Sequence, residues 1–191
     1  MNGLELSRAF YEQCGAPMLH EQFPDQEGLI AVGLIGSGSE CLGFDDEVSR
    51  DHDFEPGFCL LLSGEDRIDR RTAFLLERAY AKLPREFLGV KRPLLSPVGG
   101  NRRGVIRLSD FLQARTGTRD GRLNTEQWLR LPEQYLLEVT DGALFWQGDG
   151  TFARIRDALA YLPEDVRRKK LAGNLLLMAQ AGQYNYPRCL L

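Results

Sequence analysis

The sequence predicts a mixed α/β (α+β) fold, with a small mixed sheet and flanking helices in residues 1–150 and a helical C-terminal subdomain over 151–191. Two short apolar runs, 29–35 and 58–62, have the length and branched content of buried strands. Predicted strands alternate with helices in the first two thirds of the chain, and the last third has helical spacing alone. We expect the flanking helices to cover one side of the sheet. We expect the helical subdomain to close over the edge of the sheet that carries the candidate site.

Composition and charge narrow the classes of function. The chain has 191 residues, enough for one substantial domain, and a formal net charge of −3. Mild acidity argues against a protein that coats DNA, because such binding leaves a basic surface. No apolar run approaches the ~20 residues that cross a bilayer, and the N-terminus lacks a signal-peptide pattern. We therefore expect a cytoplasmic protein without a membrane partner.

The cysteines favour the same compartment. The four cysteines are scattered without C-x-x-C spacing, and only two histidines accompany them. A zinc site is therefore not expected, and reduced thiols are typical of a cytosolic protein.

The other elements follow from helical spacing, caps and stops. A first helix with Leu6 and Phe10 inward is expected to stop at Gly15-Ala16-Pro17. After the second strand, a helix capped within 63–66 runs to Pro84, and a long cationic loop follows. The rest is predicted as a strand over 104–108, a helix capped by Ser109 and ending at Gly117, helices over 125–131 and 132–142 with Trp128, Leu129 and Tyr135 inward, a strand over 143–146, and helices from 152 and from Pro163 to about Gly182.

The stretch between the first two strands carries the candidate chemistry. It contains Gly36-Ser37-Gly38-Ser39, an acidic approach, and then Asp51-His52-Asp53. Residues two apart in a strand share a face, so the carboxylates of Asp51 and Asp53 would converge. Converging carboxylates repel unless a cation lies between them, and Mg²⁺ or Mn²⁺ prefers oxygen ligands. The glycines upstream would let backbone N–H groups approach substrate phosphates.

These residues carry a resemblance to a known superfamily. Gly38-Ser39, Gly43 and Asp51-x-Asp53 together resemble the signature of the nucleotidyltransferases, which have the polymerase β-like fold. More narrowly, the chain resembles a bacterial family of uncharacterised proteins placed in that superfamily, through the segments MNGLELSRAFYEQCGAPM, GSGSECLGFDDEVSRDHDF, EQWLRLPEQYLLEVTDGALF and MAQAGQYNYPRC. In that family further helix follows the segment that resembles MAQAGQYNYPRC. The C-terminal subdomain of this chain is therefore expected to be shortened.

The resemblance implies a reaction. Gly38 and Ser39 would hold the β and γ phosphates of a nucleoside triphosphate such as ATP, and Asp51 and Asp53 would bind Mg²⁺ or Mn²⁺. An acceptor would attack the α phosphate and release pyrophosphate. Arg50 would meet a phosphate or pair with a neighbouring aspartate. The acceptor, whether a small molecule, RNA or protein, is not identified by the sequence.

The third strand departs from the superfamily pattern. A third carboxylate is expected there, yet Arg107 occupies the matching position and Asp110 is the nearest substitute. Arginine can hold a phosphate but cannot bind a metal or accept a proton. The resemblance thus predicts as catalytic Asp51, Asp53 and Asp110, and as nucleotide-binding Gly38, Ser39, Arg50 and Arg107.

Three functions stay open from the sequence. The first is metal-dependent nucleotidyl transfer. The second is a catalytically silent nucleotide-binding or partner-binding module, which Arg107 and the shortened C-terminus favour. The third is a toxin-type nucleotidyltransferase acting on tRNA or protein. Clusters of basic residues on the helix after the second strand, in the loop over 86–103 and at 167–170 are either solvated surface or contacts to phosphate or RNA.

Overall fold

The computed structural model describes residues 2–42, 55–92 and 103–189, with side chains described as far as residue 180. Within these residues a four-stranded mixed sheet and a two-stranded hairpin are surrounded by helices. The expected mixed α/β class with flanking helices is therefore confirmed. None of the described helices combines the length and apolar content needed to cross a membrane.

The helices and strands alternate through most of the chain. The helices are α1 (Gly3–Phe10), α2 (Ala16–Gln22), α3 (Pro24–Glu27), α4 (Ser39–Leu42), α5 (Arg70–Lys82), α6 (Leu108–Thr116), α7 (Thr125–Arg130), α8 (Glu133–Thr140), α9 (Thr151–Leu159) and α10 (Glu164–Cys189). The strands are β1 (Ile30–Leu34), β2 (Cys59–Leu62), β3 (Glu86–Phe87), β4 (Val90–Lys91), β5 (Gly104–Arg107) and β6 (Ala143–Trp146).

The four-stranded sheet has the order β5-β2-β1-β6. β1 runs antiparallel to β2 and β6, whereas β2 and β5 are parallel. Gly33 near the end of β1 therefore lies opposite Cys59, which begins β2, and Cys59 lies beside Gly104, which begins β5. We call this the turn end of the sheet. The other end, where β2 and β5 finish at Leu62 and Arg107, is the exit end.

Both faces of the sheet are covered by helices, so the expectation of helices on one side is wrong. The apolar runs of β1 and β2 place large side chains on both faces, and each face must be shielded from water. One face packs Ile30, Val32, Leu60 and Leu62 against Phe10, Leu19, Leu76 and Tyr80. The other packs Ala31 and Leu61 against Leu112, Trp128, Val139, Phe152, Leu159 and Val166. The division near residue 150 stays a prediction, although helices on both sides of it contribute to this second cluster.

The first helical segment does not stop at Gly15-Ala16-Pro17. Tyr11–Gly15 forms a π-helical turn, and α2 continues to Gln22. The Ala16 N–H donates to the Tyr11 carbonyl, and Pro17 falls in the first turn of α2, where its missing N–H costs little. A Cβ on Gly15 would lie 2.4 Å from the Phe58 ring. This glycine therefore permits close packing rather than ending a helix.

Several helix ends and buried helix faces differ from the sequence expectation. α5 begins later than expected, and its N-cap is Asp69, whose carboxylate accepts from the Thr72 N–H at 2.7 Å. Glu65, from the expected cap region, instead accepts from the Ser109 N–H at the start of α6. α10 continues past Gly182 to Cys189. Of the residues expected inward on α7 and α8, Trp128 is buried, but Leu129 and Tyr135 are exposed.

Candidate functional site

The Gly-Ser turn leaves β1 at the turn end of the sheet. Gly36 and Gly38 have φ values of 98° and 139°, in the region that side chains with a Cβ rarely adopt. The Gly36 N–H is anchored by donating to the Glu138 carbonyl at 3.1 Å. Ser37 is exposed, and Gly38 and Ser39 are half-buried. The turn thus requires its glycines and presents residues 37–39 at the surface, where a ligand can reach them.

A buried ion pair lies next to the turn. Glu40 follows Ser39 directly, and Arg103 immediately precedes β5. Arg103 Nη2 donates to Glu40 Oε1 at 2.5 Å, and each side chain is only 6% exposed. Arg103 Nε also lies 3.9 Å from Glu55 Oε1. One guanidinium therefore links the helix after the turn, the start of β5 and the approach to β2.

Arg103 keeps unused hydrogen-bonding capacity. Its Nε and Nη1 are buried and have no hydrogen-bond partner among the described residues. Burial lowers the pKa of Arg103, but Cys59 and Glu40 raise it above its ordinary value, so the group stays cationic. A Cβ on Gly57 would come within 3.1 Å of Arg103 Cδ. Gly57 therefore leaves the space that the guanidinium stem occupies.

The predicted metal ligands Asp51 and Asp53, together with Arg50, lie outside the described residues. Glu40 before them and Glu55 after them both contact Arg103, so the described flanks of residues 43–54 converge on this cation. Over residues 2–42, 55–92 and 103–189 no group of three His, Cys, Asp or Glu side chains could hold a metal ion. The Glu40 carboxylate is paired with Arg103 and is therefore not available as a metal ligand.

Arg107 and Asp110 do not join Gly38 and Ser39. Because β5 is parallel to β2, β5 begins at the turn end and Arg107 lies beside Leu62 at the exit end. Arg107 is three residue steps along the strand from Gly104, about 10 Å at the usual rise. Asp110 lies beyond this end, on α6, and its carboxylate accepts from Arg119 at 2.9 Å. The expected grouping of these two residues with the phosphate turn is therefore corrected: Arg103, not Arg107, lies at the level of the turn.

Three of the basic residues for which the sequence left contact with phosphate or RNA open have other partners. Arg92 donates to the carbonyls of Tyr80, Ala81 and Leu83 at the C-terminal end of α5. On α10, Arg167 and Arg168 both pair with Glu164. These contacts are structural, and they leave Arg103 as the buried cation next to the turn among the residues that the structure describes. The sequence left the loop that contains Arg103 open between solvated surface and phosphate contact, and it did not indicate the role of Glu40.

Comparison with known proteins gives one family match. Residues 128–191 match the model of a domain of unknown function (DUF4037). No curated protein and no solved structure matches the chain. The matched segment contains α8, β6, α9 and α10 and excludes the Gly-Ser turn, β1, β2 and β5. It shows a likeness to an uncharacterised domain family in the helical layer and edge strand, and its description names no activity.

Proposed function

We propose that this protein is a metal-dependent nucleotidyltransferase whose site lies at the turn end of the sheet. The proposal depends on two features that lie next to each other, the Gly-Ser turn and the flanks of the acidic segment. An accessible turn with two positive-φ glycines follows β1, and the flanks of the acidic segment 43–54 converge beside it on Arg103. Accessible backbone N–H groups and nearby carboxylates are what triphosphate binding with a metal ion requires.

Each part has a proposed role. Gly38 and Ser39 would contact the β and γ phosphates, because the absence of a Cβ lets the backbone come close. Asp51 and Asp53 would hold Mg²⁺ or Mn²⁺, which neutralises phosphate charge as the α phosphorus is attacked. Arg103 would act through Glu40, holding the helix after the turn against the start of β5. The released group is pyrophosphate, and the acceptor supplies the attacking oxygen.

One observation favours a second candidate, a catalytically silent nucleotide-binding module. β5 consists of Gly104, Val105, Ile106 and Arg107, so it offers no carboxylate, and Arg103 just before it is a cation. Because β5 supplies no third carboxylate, this strand provides no base for an attacking hydroxyl. In this alternative the triphosphate binds at the same turn and is not consumed.

Pyrophosphate release tests the proposal. The protein is incubated with ATP, CTP, GTP or UTP, Mg²⁺ and fractionated cell extract as the acceptor source, and pyrophosphate is measured. We expect release with at least one nucleotide and loss of release with EDTA or in Asp51→Asn and Asp53→Asn. Asp25→Asn, on the short helix before β1, is the matched control and should retain activity.

Thermal shift separates the two candidates. Both predict that a triphosphate with Mg²⁺ raises the melting temperature and that Gly38→Ala reduces the shift, because alanine at a φ of 139° is strained. Stabilisation without pyrophosphate from any extract fraction would establish the silent module. The absence of any nucleotide-dependent shift would contradict both.

A further inference from the structure

We propose that the exit end of the sheet holds a second ligand site, for an organic oxyanion with an apolar body. This site is independent of the proposed nucleotidyl transfer. β2 and β5 are adjacent parallel strands that both finish there. The helix that follows β2, α5, packs on one face of the sheet, and α6, which follows β5, packs on the other. The crevice where such connections diverge, outside the carboxyl ends of parallel strands, is where open α/β sheets bind ligands.

A cavity of about 830 Å³ lies at this crevice. Its volume is within the range of roughly 300–1,000 Å³ that small-molecule sites occupy. Leu108 and Leu112 of α6 and Ile155 and Ala158 of α9 supply apolar surface in its lining. Such a surface suits an aliphatic or aromatic body, whose burial removes apolar area from water.

A second cavity of about 490 Å³ adjoins the first, because both are lined by Glu65 and Arg119. Its lining is largely polar and contains Arg70, Arg107 and Asp110. The two residues that sequence analysis assigned to the nucleotide site, Arg107 and Asp110, thus lie together here. An apolar chamber beside a guanidinium-lined chamber matches a ligand with an apolar part and a polar head.

The hydrogen-bonding capacity of the smaller chamber indicates which head it accepts. The carboxylates are already acceptors: Glu65 receives the Ser109 N–H and hydroxyl, and Asp69 receives the Thr72 N–H. Asp110 receives one hydrogen bond from Arg119.

The guanidinium groups are less engaged. Each has five N–H donors. Only Nη2 of the Arg119 guanidinium is engaged, and the guanidinium groups of Arg70 and Arg107 form no hydrogen bond or ion pair with another residue that the structure describes. The formal charges of these arginines and carboxylates balance. The chamber nevertheless has more unused hydrogen-bond donors than unused acceptors. Carboxylate and phosphate oxygens are the acceptors that match guanidinium donors best.

Calorimetric titration with matched probes tests the site. The probes are 2-naphthoate, 2-naphthyl phosphate and the neutral 2-naphthamide, which share the apolar body and differ in the head group. We expect at least one anion to bind about tenfold more tightly than the amide, because hydrogen bonds to charged groups are the stronger ones. The tighter anion identifies the head as carboxylate or phosphate. Equal affinity for all three, or no anion binding at millimolar concentration, would overturn the proposal.

Variants assign the binding to this cleft. Arg107→Gln and Arg119→Gln should each weaken anion binding about tenfold. Ala158→Trp should abolish it, since Ala158 is exposed on α9 and a larger side chain fills the apolar chamber while the helix folds normally. Arg130→Gln, an exposed arginine of α7 outside both cavities, is the control and should leave binding unchanged. Unchanged affinity in both Arg107→Gln and Ala158→Trp would contradict the assignment. Asp51→Asn should retain probe binding, which separates this site from the nucleotidyl-transfer site.

Discussion

A single buried ion pair, between Arg103 and Glu40, holds the candidate active site to the sheet. In Arg103→Met the Glu40 carboxylate stays buried without its counter-charge. We expect the free energy of unfolding to fall by about 3–5 kcal/mol, the usual cost of removing one partner of a buried pair. Urea denaturation at neutral pH measures it.

Two further variants test whether the missing counter-charge of Glu40 causes this loss of stability. The double variant Glu40→Gln with Arg103→Met removes both charges and should recover most of the loss. Arg130→Met breaks a pair whose side chains are 80% and 70% exposed, and it should cost less than about 1 kcal/mol. An Arg103→Met cost no larger than that of Arg130→Met would show that the pair does not support the turn.

Tyr80 gives a prediction on pH. Its hydroxyl accepts from the Phe58 N–H at 3.1 Å, and burial raises the pKa of Tyr80 to about 12 from 10.0. The folded state favours the neutral phenol, so this stabilisation is complete below about pH 10 and is lost as the pH rises towards 12. Tyr80→Phe should lower the free energy of unfolding at pH 8 by about 1–3 kcal/mol, since the Phe58 N–H loses its acceptor.

The pH dependence distinguishes ionisation from packing. Between pH 10 and 12 the variant should lose less stability than the wild type, because the residue that ionises on unfolding is gone. Guanidinium chloride denaturation at several pH values tests this. Parallel stability curves for the two proteins over that interval would contradict the role given to Tyr80.

Among the secondary-structure elements, α5 ends at Lys82, and the Arg92 side chain caps its C-terminal end. Its guanidinium binds three carbonyls of the last turn and lies over the rings of Phe10 and Tyr80, 5.6 and 5.2 Å from their centroids. Arg92→Gln should therefore lower the free energy of unfolding by about 1–3 kcal/mol and leave the nucleotide-dependent thermal shift unchanged. Lys91→Gln, at its exposed neighbour, is the control. A lost thermal shift with unaltered stability would instead support a phosphate-binding role for Arg92.

The strands of the four-stranded sheet were predictable from the sequence, whereas the β3–β4 hairpin, which lies in the predicted loop, and several helix ends were not. Apolar runs of strand length are local signals, and β1, β2, β5 and β6 lie where those runs predict them. At the start of α6 the Ser109 N–H donates to Glu65, which lies 44 residues earlier in the chain, so the local sequence does not show this contact. The ion pair at the turn joins residues 63 apart, so no local pattern indicates it. The Gly-Ser turn was visible because only glycine suits its backbone.

At the scale of the whole molecule, strand direction decides which residues can act together. The sequence shows β5 as an apolar run and leaves its direction open, so Arg107 is easily assigned to the phosphate turn. Parallel pairing with β2 reverses that conclusion by bringing Arg103 to the turn end. The same pairing sends α5 and α6 to opposite faces and opens the cleft at the exit end. Both proposed sites therefore depend on the parallel pairing of β2 and β5.

Among the side chains of α10 that the structure describes, those up to residue 180, the second core cluster includes Val166 near the beginning of the helix. Val166 is fully buried, whereas residues 171–180 are exposed. Val166→Ala should lower the free energy of unfolding by about 1–3 kcal/mol, and Leu175→Gln should change it by less than about 0.5 kcal/mol. Chemical denaturation of both variants checks this. A loss in Leu175→Gln as large as that in Val166→Ala would mean that this helix face is covered in solution.

Nucleotidyl transfer at the turn end is measured most directly with triphosphates labelled at the α or the γ phosphorus. They are incubated with Mg²⁺, cell extract and either wild type or Asp51→Asn with Asp53→Asn. We expect α label in a larger acceptor, γ label in pyrophosphate, and neither product with the double variant. Label that stays in triphosphate although the nucleotide binds, or α label transferred equally by the double variant, would contradict it.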